Sequence, residues 1–285
     1  MQGANGAPGV DSDAIFRYPS PTSFLDTLGV TPIPAQILTA KTMRLVLYNI
    51  RYATGRRIAR AWMDILRRTD DHFKTITDFI SELKPDIVGL VEADGGSFRM
   101  RHRHQAQQMA LAIGFPHHTF GVKYKASGLL RHFPVFSKQG NALLTKGGIH
   151  RERFHYFKHG FKRLVIELEL EKATLFLVHL SLRRNVRRHQ LLRLQQLVAD
   201  ASKPCIVAGD FNALMGPDEL KGFLEATGMN KANSENAPTY PSWNPSHVLD
   251  FVCYSPKLKL NAFTLPKVTL SDHLPLVCDF EDLSA

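Results

Sequence analysis

No run of about 18 uninterrupted apolar residues occurs anywhere in this chain of 285 residues, so the sequence offers no candidate for a membrane-spanning helix. Cysteine is scarce. The three present, Cys205, Cys253 and Cys278, each sit inside an apolar, strand-like run and read as small buried hydrophobes of a reducing compartment rather than a disulfide framework. The N-terminus lacks the basic-then-apolar order of a secretion signal, and the expectation is a soluble, monomeric, cytoplasmic protein. Acidic residues are also in short supply: 26 Asp+Glu stand against 36 Lys+Arg, a net charge of +10 before any of the 13 His is counted. That balance points to an anionic partner, nucleic acid or an anionic lipid surface, without choosing between them.

What is present has a clear order, although no internal sequence repeat is visible. Residues 1–42 are rich in Gly, Pro, Ser and Ala without a sustained period and read as a loosely attached tail. Residues 43–285 read as one domain, whose first strand is "MRLVLYNI". A helix is expected near 61–83, a strand at "DIVGLVE", a helix around 102–113, and shorter extended runs to about 145. "RLVIELEL" and "ATLFLVHL", separated by Glu171-Lys172, predict a hairpin, and "RRNVRRHQLLRLQQLVAD" predicts a helix with arginines on its wet face. "PCIVAGD", a short helix at 217–227, a Pro/Ser/Asn-rich loop at 232–246, "VLDFVCY", "LKLNAFTL" and "LPLVCDF" complete the chain. Strand pairs joined by short turns predict mixed sheets with helices on their outer faces.

The polar residues fall at the ends of these apolar runs. "CIVAGDFNAL" finishes on Asp210 and Asn212, two positions apart, which would share one face if the chain stayed extended. "LVLYNI" delivers Asn49, "DIVGLVEAD" delivers Glu92, "LFLVHLS" delivers His179, "HVLDFV" delivers Asp250 and "TLSDHLPL" delivers Asp272 and His273. Each alone has an ordinary reading: a loop cap for Asn49, turn chemistry for Asp94, a core histidine for His179, a surface ion pair for Asp250. Together they are too many for coincidence. Carboxylates at the margin of a core lose several kcal/mol of solvation unless paired or bound to metal, and oxygen-rich ligands without a Cys/His set favour Mg²⁺ or Mn²⁺.

In order and spacing, "YNIRYATG", "DIVGLVEAD", "QGNALLT", "VHLSL", "GDFNAL", "LDFVCYS" and "SDHLPL" resemble the motifs of the endonuclease/exonuclease/phosphatase superfamily, the deoxyribonuclease I-like fold, from about Arg44 to Phe280. The resemblance implies an α/β (α+β) four-layer sandwich of two packed mixed β-sheets flanked by helices, and a Mg²⁺-dependent phosphoesterase acting by direct water attack. It implies Glu92 as metal ligand, assisted by Asn49 and Asp272. Asp210 and Asn212 would hold and activate the water, Asp250 would orient His273, His179 would contact the phosphate or leaving oxygen, and Asn141 would lie near the phosphate. Family members carry two assignments of the general base, the Asp of the Asp-x-Asn pair or the final His; Asp210 is the one favoured here, with His273 kept cationic by Asp250.

The substrate is less legible. "RHFPVFSKQGN" and "RERFHYFKHGFKR" interleave aromatics with bases, which suits nucleic acid, and a nuclease is the expectation. A sphingomyelinase-like phospholipid phosphodiesterase or a small-molecule phosphatase on the same fold is the alternative. Trp243, in the loop that leads into Asp250, is the candidate for stacking on a substrate group.

Overall fold

A computed structural model describes residues 42–55, 69–123, 136–160 and 162–281. Residues 1–41 of the expected tail and the first part of the 61–83 helix lie outside the described residues, as do residues 131–135 of "RHFPVFSKQGN". Twelve strands form two six-stranded sheets. The first sheet holds β1 (Thr42–Asn49), β2 (Ile87–Asp94), β3 (His117–Val122), β4 (Gln139–Thr145), β11 (Leu260–Thr264) and β12 (Leu276–Glu281), in the order β11-β12-β1-β2-β4-β3. The second holds β5 (Arg151–Tyr156), β6 (Leu164–Glu169), β7 (Thr174–His179), β8 (Cys205–Asp210), β9 (Asn230–Lys231) and β10 (Asp250–Tyr254), in the order β5-β6-β7-β8-β10-β9. Each sheet has one parallel pair at its centre, β1 with β2 and β7 with β8, and every other pairing is antiparallel. Both sheets are therefore mixed, as the short turns between strands imply.

The alternation of side chains along each strand builds four layers. In β1, Leu45 and Leu47 enter the core between the sheets with Ile166, Leu177, Ala208 and Val252. Their neighbours Val46 and Tyr48 face outward onto α1 (Asp70–Glu82) and α2 (Gln105–Ile113), meeting Ile76, Phe79 and Met109. On the other side, Phe176, Val207 and Phe251 pack against Leu191, Leu194 and Phe223 of α3 (Arg184–Ala199) and α4 (Lys221–Thr227). The architecture is the helix–sheet–sheet–helix sandwich of the deoxyribonuclease I-like fold. No helix among the described residues is long and apolar enough to cross a membrane.

Two sequence readings change in detail. Arg187 is not on the wet face of α3: it is buried, with its guanidinium forked onto Glu219 at 2.6 and 2.7 Å and onto the carbonyls of Ser181 and Leu182. This pair ties the turn after β7 to the turn after β8, since the Glu219 carboxylate also accepts from the Met215 amide. The stretch 151–156 is an edge strand whose bases reach acids on β6, Arg153 and His155 to Glu167 and Arg151 to Glu169. The three cysteines are free and buried, as expected, and burial pushes their thiols upward.

At the centre of the second sheet Gly209 lies opposite Val178, and a Cβ there would stand 1.9 Å from the Val178 carbonyl oxygen. Only glycine permits this approach. Gly209→Ala is expected to lower the unfolding free energy by about 3 kcal/mol or more, read from the urea midpoint, because backbone rather than a flexible side chain would have to move.

Candidate active site

The same alternation that builds the inter-sheet core builds the site. Asn49 shares a face with Leu45 and Leu47, His179 with Leu175 and Leu177, Asp210 with Ile206 and Ala208, Asp250 with Val252, and Asn141 with Leu143. Five strands thus carry their core face onward into polar groups at one edge of the sandwich. Glu92 is the exception, since by count it follows Val88 and Leu90 toward the helices. A register shift between Leu90 and Ala93 and a left-handed backbone at Glu92, φ 57°, turn its side chain back toward that edge.

Most of the expected residues meet there. The Asn49 amide donates to Asp210 Oδ2 at 3.1 Å, and His179 Nε2 lies 3.2 Å from the same oxygen, out of line for a hydrogen bond. His179 Nδ1 is 3.8 Å from Glu92 Oε1, and His273 Nε2 is 4.0 Å from Asp210 Oδ2. His273 Nδ1 is 2.7 Å from Asp250 Oδ2, an oxygen that also accepts from Thr239 Oγ1 at 2.7 Å. Asn212 reaches the pocket by a different route from the extended strand pictured above. It adopts φ 50°, its backbone amide caps Asp210 Oδ1 at 2.9 Å, and its side-chain amide donates to the Leu180 carbonyl. Gly-Asp-Phe-Asn is therefore both a turn and part of the site.

Asn141 is fully buried; its Oδ1 accepts from the Glu92 amide at 3.2 Å, and its Nδ2 has no hydrogen-bond partner among the described residues. Asp272 lies at the rim, 3.5 Å from Arg51 Nε. The loop carrying Trp243 is fastened to it, with Ser242 donating to the carbonyls of Asp272 and Ser271, and the Tyr240 ring sits 4.9 Å from the His273 ring. Trp243 itself is half-buried. Asp94, in contrast, is structural: fully buried, it accepts from the amides of Gly96 and Ser97 and from the Arg99 guanidinium.

The strand-end argument missed Lys123, which follows β3 as Asn49 closes β1, and which the same search of "HHTFGVK" would have found. Its buried ammonium lies 3.4 Å from Glu92 Oε1 and donates to the Tyr52 hydroxyl at 2.8 Å. Thr239 and Lys162 carry no sequence signal, since one acts by a local hydrogen bond and the other by proximity across the fold.

Charge in the pocket is set by burial against these neighbours. Burial works to raise Glu92, but Lys123, His179 and Lys162 overcome it and leave the carboxyl at about 2. Burial pushes Lys123 down to about 8 against the pull of Glu92. Burial, reinforced by Lys162 and Lys123, pushes His179 down to about 3, so its ring is neutral. Asp210 would be raised by burial, yet His179 and His273 hold it below the usual carboxylate range. Burial raises the Asp250 carboxyl even against the pull of His273, whereas at His273 the 2.7 Å contact with Asp250 outweighs burial and the ring stays protonated, at about 10.

Asp210, Asp250 and His273 offer atoms within 4.8 Å of one another, close enough to hold a cation. A protonated imidazole has no lone pair to give, however, and Asp250 Oδ2 already accepts two hydrogen bonds. Glu92 and Asp272 fit a cation better. Glu92 is ionised with a side chain 18% exposed, and burial, reinforced by the Glu92 charge, raises Asp272.

The sequence pattern of the Endonuclease/Exonuclease/phosphatase family matches residues 48–273. The UPF0294 protein of Yersinia pseudotuberculosis is 24% identical over 259 residues, 88% of each chain. Among solved structures, an endonuclease/exonuclease/phosphatase from Beutenbergia cavernae superposes with a TM-score of 0.65 at 18% identity, over 85% of this chain and 72% of that one. The human Nocturnin catalytic domain with bound sulfate anion gives 0.59 at 23% identity, over 84% and 94%.

Removing the Lys123 ammonium should leave Glu92 charged and uncompensated. Lys123→Met is expected to cost about 3 kcal/mol in denaturant unfolding, and adding Glu92→Gln in that background should restore part of the loss. Simple additivity of the two substitutions would show that the pair does not interact.

Proposed function

The chain belongs to the endonuclease/exonuclease/phosphatase family, whose members hydrolyse phosphate esters, and on that premise we propose that it is a Mg²⁺- or Mn²⁺-dependent phosphodiesterase that cleaves nucleic acid by direct attack of water. The observation that carries this reading is the convergence of Asn49, Glu92, Asn141, His179, Asp210, Asn212, Asp250 and His273 at one edge of the inter-sheet core. The excess of basic residues supports a polyanionic substrate.

Glu92, with Asn49 and Asp272, would hold the divalent ion, an oxygen-only set suited to a hard cation. When bound, the ion draws charge from the phosphate oxygens and makes the phosphorus more open to attack. The chain's own groups supply the rest. Asp210, ionised and steadied by Asn49 and the Asn212 amide, accepts a proton from the attacking water as the new P–O bond forms and the ester P–O bond breaks. His273, held protonated by Asp250, directs its Nε2–H at oxygen where negative charge accumulates. That protonation is why Asp210, not His273, is assigned as base. Neutral His179 and the partnerless amide of Asn141 are donors for the remaining phosphate and leaving oxygens. Trp243, on the loop clamped to Asp272, would touch the group beyond the scissile bond.

One observation favours a second reading, phosphodiester hydrolysis at a lipid surface. Leu182 and Met215, on the turns just beyond His179 and Asn212, are 56% and 70% exposed. Hydrolysis of vesicle phospholipid in preference to oligonucleotides would select it.

Asp210→Asn should reduce turnover on every substrate by about 10³-fold or more while leaving far-UV circular dichroism unchanged; a chelator should do the same to the parent protein, reversed by Mg²⁺ or Mn²⁺. Activity retained in the Asn variant would remove Asp210 from the base role. Trp243→Ala is expected to alter the ratio of kcat/KM between substrates more than kcat on any one. An equal loss on all substrates with a lower Tm would make it a packing residue.

A further inference from the structure

A groove of about 590 Å³ runs between the segment leaving β5 and the outer face of α3, with Lys158 and His159 on one wall and His189 and Arg193 on the other. A second hollow of about 360 Å³ shares Val186 with it and continues past Gly160, Lys162 and Arg183 to Ser181, two residues beyond His179. The two adjoin, so one track leads from the outer face of α3 toward the catalytic edge. The inner end of the track, at Ser181 and Leu182, follows directly on β7, which ends in His179.

The track is built, not left over between loops. Gln190, buried on α3, donates to the carbonyls of Lys162 and His159 at 2.7 and 3.4 Å and accepts from the Ser181 amide at 2.8 Å, pinning three segments around it. Gly160, at φ 97°, lets the 156–160 segment approach α3; a Cβ there would stand 2.9 Å from Val186.

Its charge is one-sided. No acidic residue lines either hollow, and Lys158, His159, Arg183, His189 and Arg193 have no carboxylate partner among the described residues. The adjacent edge strand behaves differently, since its bases Arg151, Arg153 and His155 are all matched to Glu169 or Glu167. Several cations facing one concavity without counter-charge repel one another unless an anion joins them. His189 and Arg193 stand one turn apart, about 6 Å along the helix, so successive phosphates of an extended strand can meet them. A track walled on both sides admits a single strand more readily than a duplex.

We propose that this track is a binding site for the non-reacting phosphates of a single-stranded nucleic-acid substrate, guiding its backbone to the catalytic edge. The proposal rests on the nucleic-acid reading above and names its substrate as single-stranded. The test uses the full chain in chelator, so that binding is measured without hydrolysis, with a short fluorescent single-stranded oligonucleotide followed by anisotropy over a range of salt. The variant Lys158→Gln/Arg193→Gln changes two exposed side chains. Its affinity should fall roughly ten- to thirtyfold at 0.1 M salt, and its slope of log affinity against log salt should shrink by about 1.4, at about 0.7 per lost phosphate contact. Tm, and the rate on bis(p-nitrophenyl) phosphate with metal restored, should stay at parent values. His189→Gln/Arg193→Gln should give a loss in the same direction. Parent-like affinity and slope in both variants would overturn the track, as would a parent protein that hydrolyses the small diester but binds no strand. Strand binding with the expected slope, in a protein that hydrolyses no ester, would retain the track and overturn the hydrolase reading instead.

Discussion

Buried negative charge at the end of an apolar core is the constraint around which this molecule is arranged. Glu92 and Asp210 are ionised where the two sheets meet solvent, and each would be strongly disfavoured there without cations or donors at short range. Lys123, Lys162 and His273 supply charge, and Asn49 and the Asn212 amide supply hydrogen bonds. The backbone distortions at the edge serve the same end. The left-handed turns at Glu92 and Asn212 and the close approach at Gly209 aim polar groups that regular strands would have pointed elsewhere. A fold that holds so much unfavourable charge in register is suited to a ligand that completes the balance.

Much of this was legible in the sequence because strand periodicity carries position as well as type. Asn49, His179, Asp210 and Asp250 each sit an even number of residues from core-facing Leu, Ile, Ala or Val, and that spacing alone assigns them to the inter-sheet side. Glu92 breaks the count: its place at a strand end marked it out, but the alternation alone would have turned it toward the helices. Lys123 obeyed the strand-end rule but was passed over, since a lysine at a strand end reads as solvated until its burial is seen. Arg187 misled in the opposite direction. It lies in a helix crowded with arginines, and nothing local distinguishes the one that turns inward to meet Glu219, 32 positions away. Long-range pairings of this kind are decided by topology, which composition does not encode.

The bases of this chain divide by what they face. Those on the edge strand beside β6 meet carboxylates and hold the sheet margin, and Arg187 holds two turns together. Those around the Gln190 hub face one another across open space. Among the described residues, part of the unmatched basic charge therefore lies along the track that leads toward the catalytic edge. The arrangement separates affinity, drawn from the unmatched bases, from chemistry, drawn from the carboxylates and imidazoles.

The two sheets repeat one plan. Strand, helix, strand, helix and two further strands occur as β1 to β4 with α1 and α2, then again as β7 to β10 with α3 and α4, and the parallel pair is central in both. Equivalent positions in the two halves are Asn49 and His179, Glu92 and Asp210, and Asn141 and Asp250, and across the seam Asn49 meets Asp210 while His179 nears Glu92. His273 joins them from the turn before β12. Neither half owns a complete set, so the cluster exists only at the seam, and a fragment that kept a single sheet would lose it and lay bare the apolar face of the inter-sheet core.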